Sequence, residues 1–294
     1  MIKVSELKKT IGKKIILDNI NLNVKHGSIC GIVGRNGAGK TSFLKCLMGL
    51  WNFDYGKIHM KNIDVKTNSQ FKKFTVFIPD EINIPNNYKV KDAEIFYKHA
   101  FENFDTDYFY KLLNLYEISI NENIGNLSKG IKLKLSIALN ISRKPDLLIL
   151  DEPLSNLDPV SRKELINILI SCASDKKMTI LISTHNILDV QKFCDSFVIL
   201  DEGKVLYSGS YEYLKNKIIM ARCVLKSDIP DKLSELKGII EYKIMGKSVT
   251  IVLENNDGNL DAIKKLSGDF ELINLDLEEI IVYMLGGKTL EKLI

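Results

Sequence analysis

The chain has little of what small cross-linked folds are built from. Its five cysteines, at 30, 46, 172, 194 and 223, are scattered, odd in number and free of C-x-x-C spacing. Neither a disulfide framework nor a zinc site is suggested, and a reducing compartment is the natural home. Long apolar runs are missing too. The opening Met1-Ile2-Lys3-Val4-Ser5-Glu6 lacks an extended hydrophobic region, and no later run approaches the roughly 18 residues needed to cross a bilayer. The chain is therefore expected not to be integral to a membrane. Nor is there a dense Lys/Arg block: the net charge of +4 is spread along the sequence, which weighs against nucleic acid as the main partner. What is present is ordinary for a globular protein: 294 residues, 45 % hydrophobic, enough for one large domain plus a small one, or for two modest ones.

One stretch organises the rest. Gly34-Arg35-Asn36-Gly37-Ala38-Gly39-Lys40-Thr41 fits the pattern G-x-x-x-x-G-K-[ST]. It follows the apolar run Ile29-Cys30-Gly31-Ile32-Val33, a predicted strand, and leads into a predicted helix at Ser42-Phe43-Leu44-Lys45-Cys46-Leu47. Glycines let the backbone curl around phosphate oxygens with its N–H groups pointing inward, and the helix N-terminus adds partial positive charge. Gly34 through Ser42 are thus the candidate nucleotide-binding residues, with Lys40 reaching the β- and γ-phosphates and Thr41 offering its hydroxyl to magnesium. A bare Gly-rich turn ending in Lys-Thr is the competing reading, and the strand-then-helix context disfavours it.

Residues 1–26 read as short strands, Ile2–Val4, Lys14–Leu17 and Ile20–Val24, forming a small antiparallel layer ahead of the loop. Further predicted strands are Lys57–Met60 and Thr75–Ile78. From about residue 82 the pattern becomes helical and rich in aromatics, including Tyr88, Phe96, Tyr97, Phe101, Phe104, Phe109, Tyr110 and Tyr116. Two readings of these stand side by side: the core of a helical subdomain, spanning about 82–145, or a surface that docks a partner. Leu127-Ser128-Lys129-Gly130 opens a helix with apolar spacing from Ile131 to Leu139. Then Asp146 to Pro153 reads as a buried parallel strand ending in Asp151 and Glu152. A helix over 159–174, a strand over 178–183 ending at Thr184-His185, a helix over 187–193 and a hairpin over 196–205 complete an alternation that implies a mainly parallel sheet. Ligands on such sheets bind beyond the carboxyl ends of the strands, where the glycine loop, Asp151-Glu152 and His185 all fall. Beyond about 208 the order strand (222–225), helix (229–236), strands (239–244 and 248–253), helix (259–267), strand (270–275) spells β-α-β-β-α-β, followed by an amphipathic helix with Leu277, Ile280, Ile281, Met284 and Leu285 on one face.

A carboxylate at the end of an apolar strand holds magnesium in phosphate-loop proteins, the candidate here being Asp151, and the adjacent Glu152 is placed to deprotonate an attacking water. The ordered set Gly34–Thr41, Leu127–Gly130, Leu147–Glu152, Ser155-Asn156-Leu157-Asp158 and Thr184-His185 resembles the nucleotide-binding subunit of ABC transporters. The resemblance covers about residues 1–208, and its nearest likeness is to the ATP-binding subunits of bacterial exporters for drugs, peptides or lantibiotics. It implies an α/β phosphate-loop NTPase fold with a mainly parallel sheet, an N-terminal antiparallel layer and a helical subdomain. It implies ATP and Mg²⁺, with Lys40, Glu152 and His185 catalytic and with Thr41, Asp151 and Asp80 at the metal. It also implies a head-to-tail dimer, homodimeric or with a related ATPase subunit. In that dimer one chain's Leu127, Ser128, Lys129 and Gly130 close over the other's ATP, with Asp158 at the seam. A separate transmembrane permease would hold the chain on the cytoplasmic face of the membrane. Residues 209–294 are expected to form a small α+β domain that dimerises, regulates or caps the core.

Three positions depart from the family's pattern. Ile11, before Gly12, stands where an aromatic commonly stacks on adenine. Asp80, after Ile78-Pro79, stands where Gln is usual, able to bind metal but adding negative charge beside the phosphates. The signature carries Lys129 for Gly and ends in Ile131 for Gln. Two further readings therefore accompany an exporter motor: an ATP sensor with weak hydrolysis, and a soluble ABC-type ATPase outside transport.

Overall fold

The computed structural model describes residues 1–294 apart from 83, 156, 176, 225–237, 247, 268–269 and 285–294, and apart from the side chains of 189 and 266. It divides into two compact units, Met1–Ser208 and Gly209–Ile294.

The first unit holds two sheets. One is antiparallel, with β1 (Ile2–Ile11) and β2 (Lys14–Val24) joined to β4 (Tyr55–Met60) and β5 (Ile63–Asp64) in the order β2-β1-β4-β5. These strands run further than their alternating runs. Register shifts follow Val4 and Leu7, and Glu6 and Asn19 take left-handed backbone angles (φ 51° and 54°), so the period of two is broken while the ladder continues. The other sheet contains β3 (Ile29–Val33), β6 (Thr75–Ile78), β7 (Leu147–Asp151), β8 (Thr179–Thr184), β9 (Ser196–Asp201) and β10 (Lys204–Gly209), in the order β10-β9-β3-β8-β7-β6. Its β9-β3-β8-β7-β6 portion is parallel. Strands β3, β7 and β8 are buried along their whole length, which is why apolar residues fill β3, the first four positions of β7 and the centre of β8.

Helix α1 (Lys40–Leu47) lies in the shared core. Its Phe43, Leu44 and Leu47 pack with Ile2, Leu7, Leu17 and Ile20 of the antiparallel sheet and with Ile149, Leu181 and Val198 of the parallel one. The loop that precedes this helix is therefore anchored by a core that both sheets share.

Helices α2 (Val90–Ala100), α3 (Thr106–Leu115) and α4 (Lys129–Ile141) make the helical part. The aromatics there divide between buried and exposed positions. Phe109 and Tyr116 are buried, Phe104 meets Phe109 at 5.6 Å between centroids, and the Arg143 guanidinium lies 3.5 Å from the Phe101 ring centre. Tyr88, Phe96 and Tyr110 are exposed, as are Ile95 and Leu115. Helices α5 (Pro159–Ser174) and α6 (Ile187–Gln191) follow β7 and β8.

The second unit begins with α7 (Tyr211–Lys217) and β11 (Ile218–Val224), and continues with β12 (Ile239–Met245), β13 (Ser248–Glu254), α8 (Asp257–Ser267), β14 (Phe270–Ile273) and α9 (Leu277–Met284). Its sheet is antiparallel, ordered β12-β13-β11-β14. The helix expected over 229–236, Leu225 and Leu285 lie outside the described residues. Ile219, Ala221 and Cys223 of β11 pack with Val249, Ile251, Leu253 and Ile263. Leu277, Ile280 and Ile281 of α9 are buried, and that helix packs on β12 and α7 of its own unit.

Leu44 is fully buried in the core beneath the glycine loop. Leu44→Ala is expected to lower unfolding stability by about 2–5 kcal/mol. Urea titration checks this: the midpoint should fall with an unchanged slope, and a midpoint that stays put would mean Leu44 is not a packing element.

Candidate nucleotide and hydrolysis site

Strand register builds the site. Val33 lies opposite Thr184, Asp151 opposite Ser183 and Ile78 opposite Leu150, so β3, β8, β7 and β6 end level with one another. The segments that leave them begin with Gly34, His185, Glu152 and Pro79.

The loop from Gly34 to Gly39 is fixed by close backbone approaches. A Cβ on Gly34 would fall on the carbonyl oxygen of Leu200, so no side chain fits there. Gly39 caps α1 with φ 104°, a conformation that only glycine adopts without strain. The Gly203 N–H donates to the Ala38 carbonyl at 3.0 Å, while its own carbonyl accepts from Asp18 N–H at 2.8 Å. Arg35, Asn36, Gly37 and Thr41 are exposed, Gly39 and Ser42 half-buried, Ala38 buried. An open cleft beside the loop is walled by Ile15 and Ile16 of β2, by Arg35 to Ala38, and by the turn from Asp201 to Gly203.

Lys40 is 6 % exposed, and its ammonium is fully engaged. It donates to the carbonyls of Gly34 at 2.7 Å and Arg35 at 3.2 Å and lies 3.0 Å from Glu152 Oε1. Glu152 Oε2 in turn lies 2.8 Å from His185 Nδ1 and accepts the His185 backbone N–H at 3.3 Å. Lys40, Glu152 and His185, far apart in sequence, thus form one chain of contacts. Glu152 has a left-handed backbone (φ 49°), a conformation that costs a residue with a Cβ on the order of 1 kcal/mol. It is pinned on both sides: its N–H donates to Ser183 Oγ at 3.0 Å and its carbonyl accepts Ser155 Oγ at 2.8 Å.

Ser183 is a member of this network that motif reading misses. Fully buried, it donates to Asp151 Oδ1 at 2.6 Å while accepting from Glu152, so one hydroxyl orients both acids. Its sequence signal is weak, one of three hydroxyls in β8 (Thr179, Ser183 and Thr184) and the one in register with the first acid.

Of the signature residues, Lys129 lines a second, small cleft with Pro79, Asp80, Asp151 and Glu152. Leu127 ends a short turn, and Ser128 caps α4 by accepting the Ile131 N–H at 3.3 Å, leaving its own proton to donate. Lys129 Nζ lies 3.4 Å from Asp80 Oδ1, and Gly130 is half-buried. Asp158 is exposed and caps α5, accepting from Val160 and Ser161 N–H at 3.0 and 3.1 Å. Hydrogen bonds from Ser161 hold its carboxyl below the usual carboxylate range. Asn156 lies outside the described residues.

Among the described residues, no group of three His, Cys, Asp or Glu side chains is placed to hold a metal ion. A hard cation that takes one carboxylate and completes its shell with phosphate oxygens and water suits what is present, the Thr41 hydroxyl and the Asp151 carboxylate.

Comparison with known proteins agrees with this geometry. A family model described as ABC transporter matches residues 17–155. The lantibiotic transport ATP-binding protein SrtF of Streptococcus pyogenes is 32 % identical over 229 residues, covering 74 % of this chain and 93 % of that relative. The chain belongs to the family of ABC transporter ATP-binding proteins. It is an ATPase of that family, with the nucleotide-binding cassette fold. The ATP-binding protein YtrB of Bacillus subtilis is 25 % identical over 290 residues, 98 % of this chain and 99 % of the relative, so the likeness extends through the second unit. A solved ATP-binding subunit of an ABC transporter superposes with a TM-score of 0.66 at 24 % identity, over 73 % of this chain and 92 % of that one, which shows the fold. No helix among the described residues is long and apolar enough to cross a membrane.

Ser183→Ala removes the one hydroxyl shared by a buried carboxylate and the Glu152 N–H. The expected cost is about 1–3 kcal/mol of unfolding stability, read from the denaturant midpoint, together with a fall in ATP turnover exceeding any change in ATP affinity. Unchanged turnover would remove Ser183 from the positioning of Glu152.

Proposed function

We propose that this chain is the ATP-hydrolysing motor subunit of a membrane export complex, closing around ATP as a homodimer or with a related ATPase subunit and driving a separate transmembrane permease. The observation that carries the reading is the convergence of Lys40, Glu152 and His185 beside the glycine loop at the carboxyl edge of the parallel sheet. Its fit to a peptide-type exporter rests on SrtF, a relative named for lantibiotic transport. The exposed Tyr88, Ile95 and Phe96 supply an apolar patch for a membrane subunit.

The contacts support the following residue roles. Arriving phosphates compete with Glu152 for Lys40. Backbone N–H groups from Gly37 to Thr41, with Arg35, Asn36 and Ser42 alongside, line the phosphate path, and Lys40 turns to the β- and γ-oxygens. Thr41 and Asp151, with Asp80 nearby, would hold magnesium, which when bound supplies charge neutralisation at the phosphates. Glu152, released from Lys40 but still held by Ser183, Ser155 and His185, takes a proton from water. The water oxygen bonds to the γ-phosphorus as the bond to the β,γ-bridging oxygen breaks, leaving ADP and phosphate. His185 aligns that water. Ser128 and Gly130 of a second chain donate to the γ-phosphate, with Asp158 at the seam, so ATP favours the closed dimer and hydrolysis removes that preference.

Glu152→Gln is expected to bind ATP at least as tightly, since it no longer pairs with Lys40, to dimerise with ATP, and to lose turnover by at least a hundredfold. Parental turnover would exclude Glu152 as the base. Lys40→Ala should abolish ATP protection against thermal unfolding, which for a competent site at ATP concentrations a hundred times Kd contributes about 2.7 kcal/mol; retained protection would contradict the loop assignment. Purification of tagged chain from native membranes should bring down a polytopic protein in equal amount. Its absence would leave the ATPase standing and remove the transport role.

A further inference from the structure

Two of the positions that depart from the family's pattern meet each other. Lys129, the third residue of the signature, lies 3.4 Å from Asp80, the residue after Ile78-Pro79, although 49 positions separate them. Asp151 and Glu152 line the same small cleft, and of the two acids Glu152 is already paired with Lys40. Both members of the Lys129–Asp80 pair are about half exposed, at 56 % and 46 % of their side-chain surface. An ion pair this wet is weak and cheap to open. Each partner has a more strongly charged destination within the site. Asp80 stands beside the acids expected at magnesium, and Lys129 is the first residue of α4, next to the Ser128 cap.

The geometry points to Lys129 and Asp80 as an exchangeable ion pair: Lys129 neutralises Asp80 in the open chain and transfers to the terminal phosphate of ATP held by a second copy when the dimer closes. This rests on the dimer reading above and deepens it by naming a cationic trans contact that a glycine at that position lacks. Opening the pair is a small cost of closure, and the new contact to a phosphate, charge-assisted on both sides, outweighs it. The wetness of the pair is what makes the exchange workable; a buried pair would lock the chain open.

The test is a double-mutant cycle in the Glu152→Gln chain, reading by light scattering the ATP concentration at half dimerisation. Asp80→Gln keeps an oxygen for the metal but removes the pair, and should lower that concentration about threefold, the size of a surface ion pair. Lys129→Gly should raise it on the order of tenfold, and by a further threefold when made in the Asp80→Gln background, because there it removes only the trans contact. Lys129→Arg should restore the parental value. Equal effects of Lys129→Gly in the two backgrounds, or an Asp80→Gln chain that closes no more readily, would reduce the pair to an incidental surface contact. A Glu152→Gln chain that gains thermal protection from ATP yet stays monomeric would overturn the dimer reading and this exchange together; one that gains none would overturn the site itself.

Discussion

A buried ammonium group is the constraint on which the rest of the site depends. Lys40 sits almost wholly out of solvent, and a cation there has to be compensated. Two loop carbonyls and Glu152 do so in the open chain. The same carboxylate that would accept a proton from water is thereby occupied until phosphate arrives. In the function proposed here, binding and chemistry are linked through one side chain, because the group that would recognise the phosphates is the group that holds the proposed base.

That link depends on backbone order more than on side-chain reach. Parallel strands ending level deliver the loop, the two acids and the histidine to one edge, and the Asp151 to Ser183 register sets a hydroxyl between the acids. A slip of one residue in β8 would turn Ser183 to the opposite face and deprive both Asp151 and Glu152 of their support. The uninterrupted burial of β7 and β8 fixes the register against such slips. The core under α1 does the same for the loop.

Much of this was legible in the sequence, for identifiable reasons. The glycine loop announces itself because its conformation admits few residues, and the buried strands because parallel sheets leave no polar face to interrupt them. The helix from Pro159 to Ser174 was readable from a proline at its start and an acid before it. Less legible were features that depend on register across distant segments: the Ser183 bridge, the Lys40–Glu152 pair and the meeting of Asp80 with Lys129. No local pattern encodes these, since each joins residues that only the fold brings together. The long first strands were under-read because bulges at Glu6 and Asn19 interrupt the alternation without ending the strand. The aromatic segment kept two readings because rings that fill a core and rings that face outward have the same spacing on a helix.

The Gly203 turn carries a consequence for how such a chain can vary. Surface hairpins are ordinarily the places where extra residues are accommodated. Here the turn's single glycine gives its N–H to the phosphate loop and its carbonyl to β2, and a Cβ on it would fall on the Ile16 carbonyl oxygen. The turn is thus a brace between two segments, and its length is set by the gap it spans. Insertions in β9–β10 would reshape the nucleotide cleft, so diversification of this chain has to be sought in its other loops.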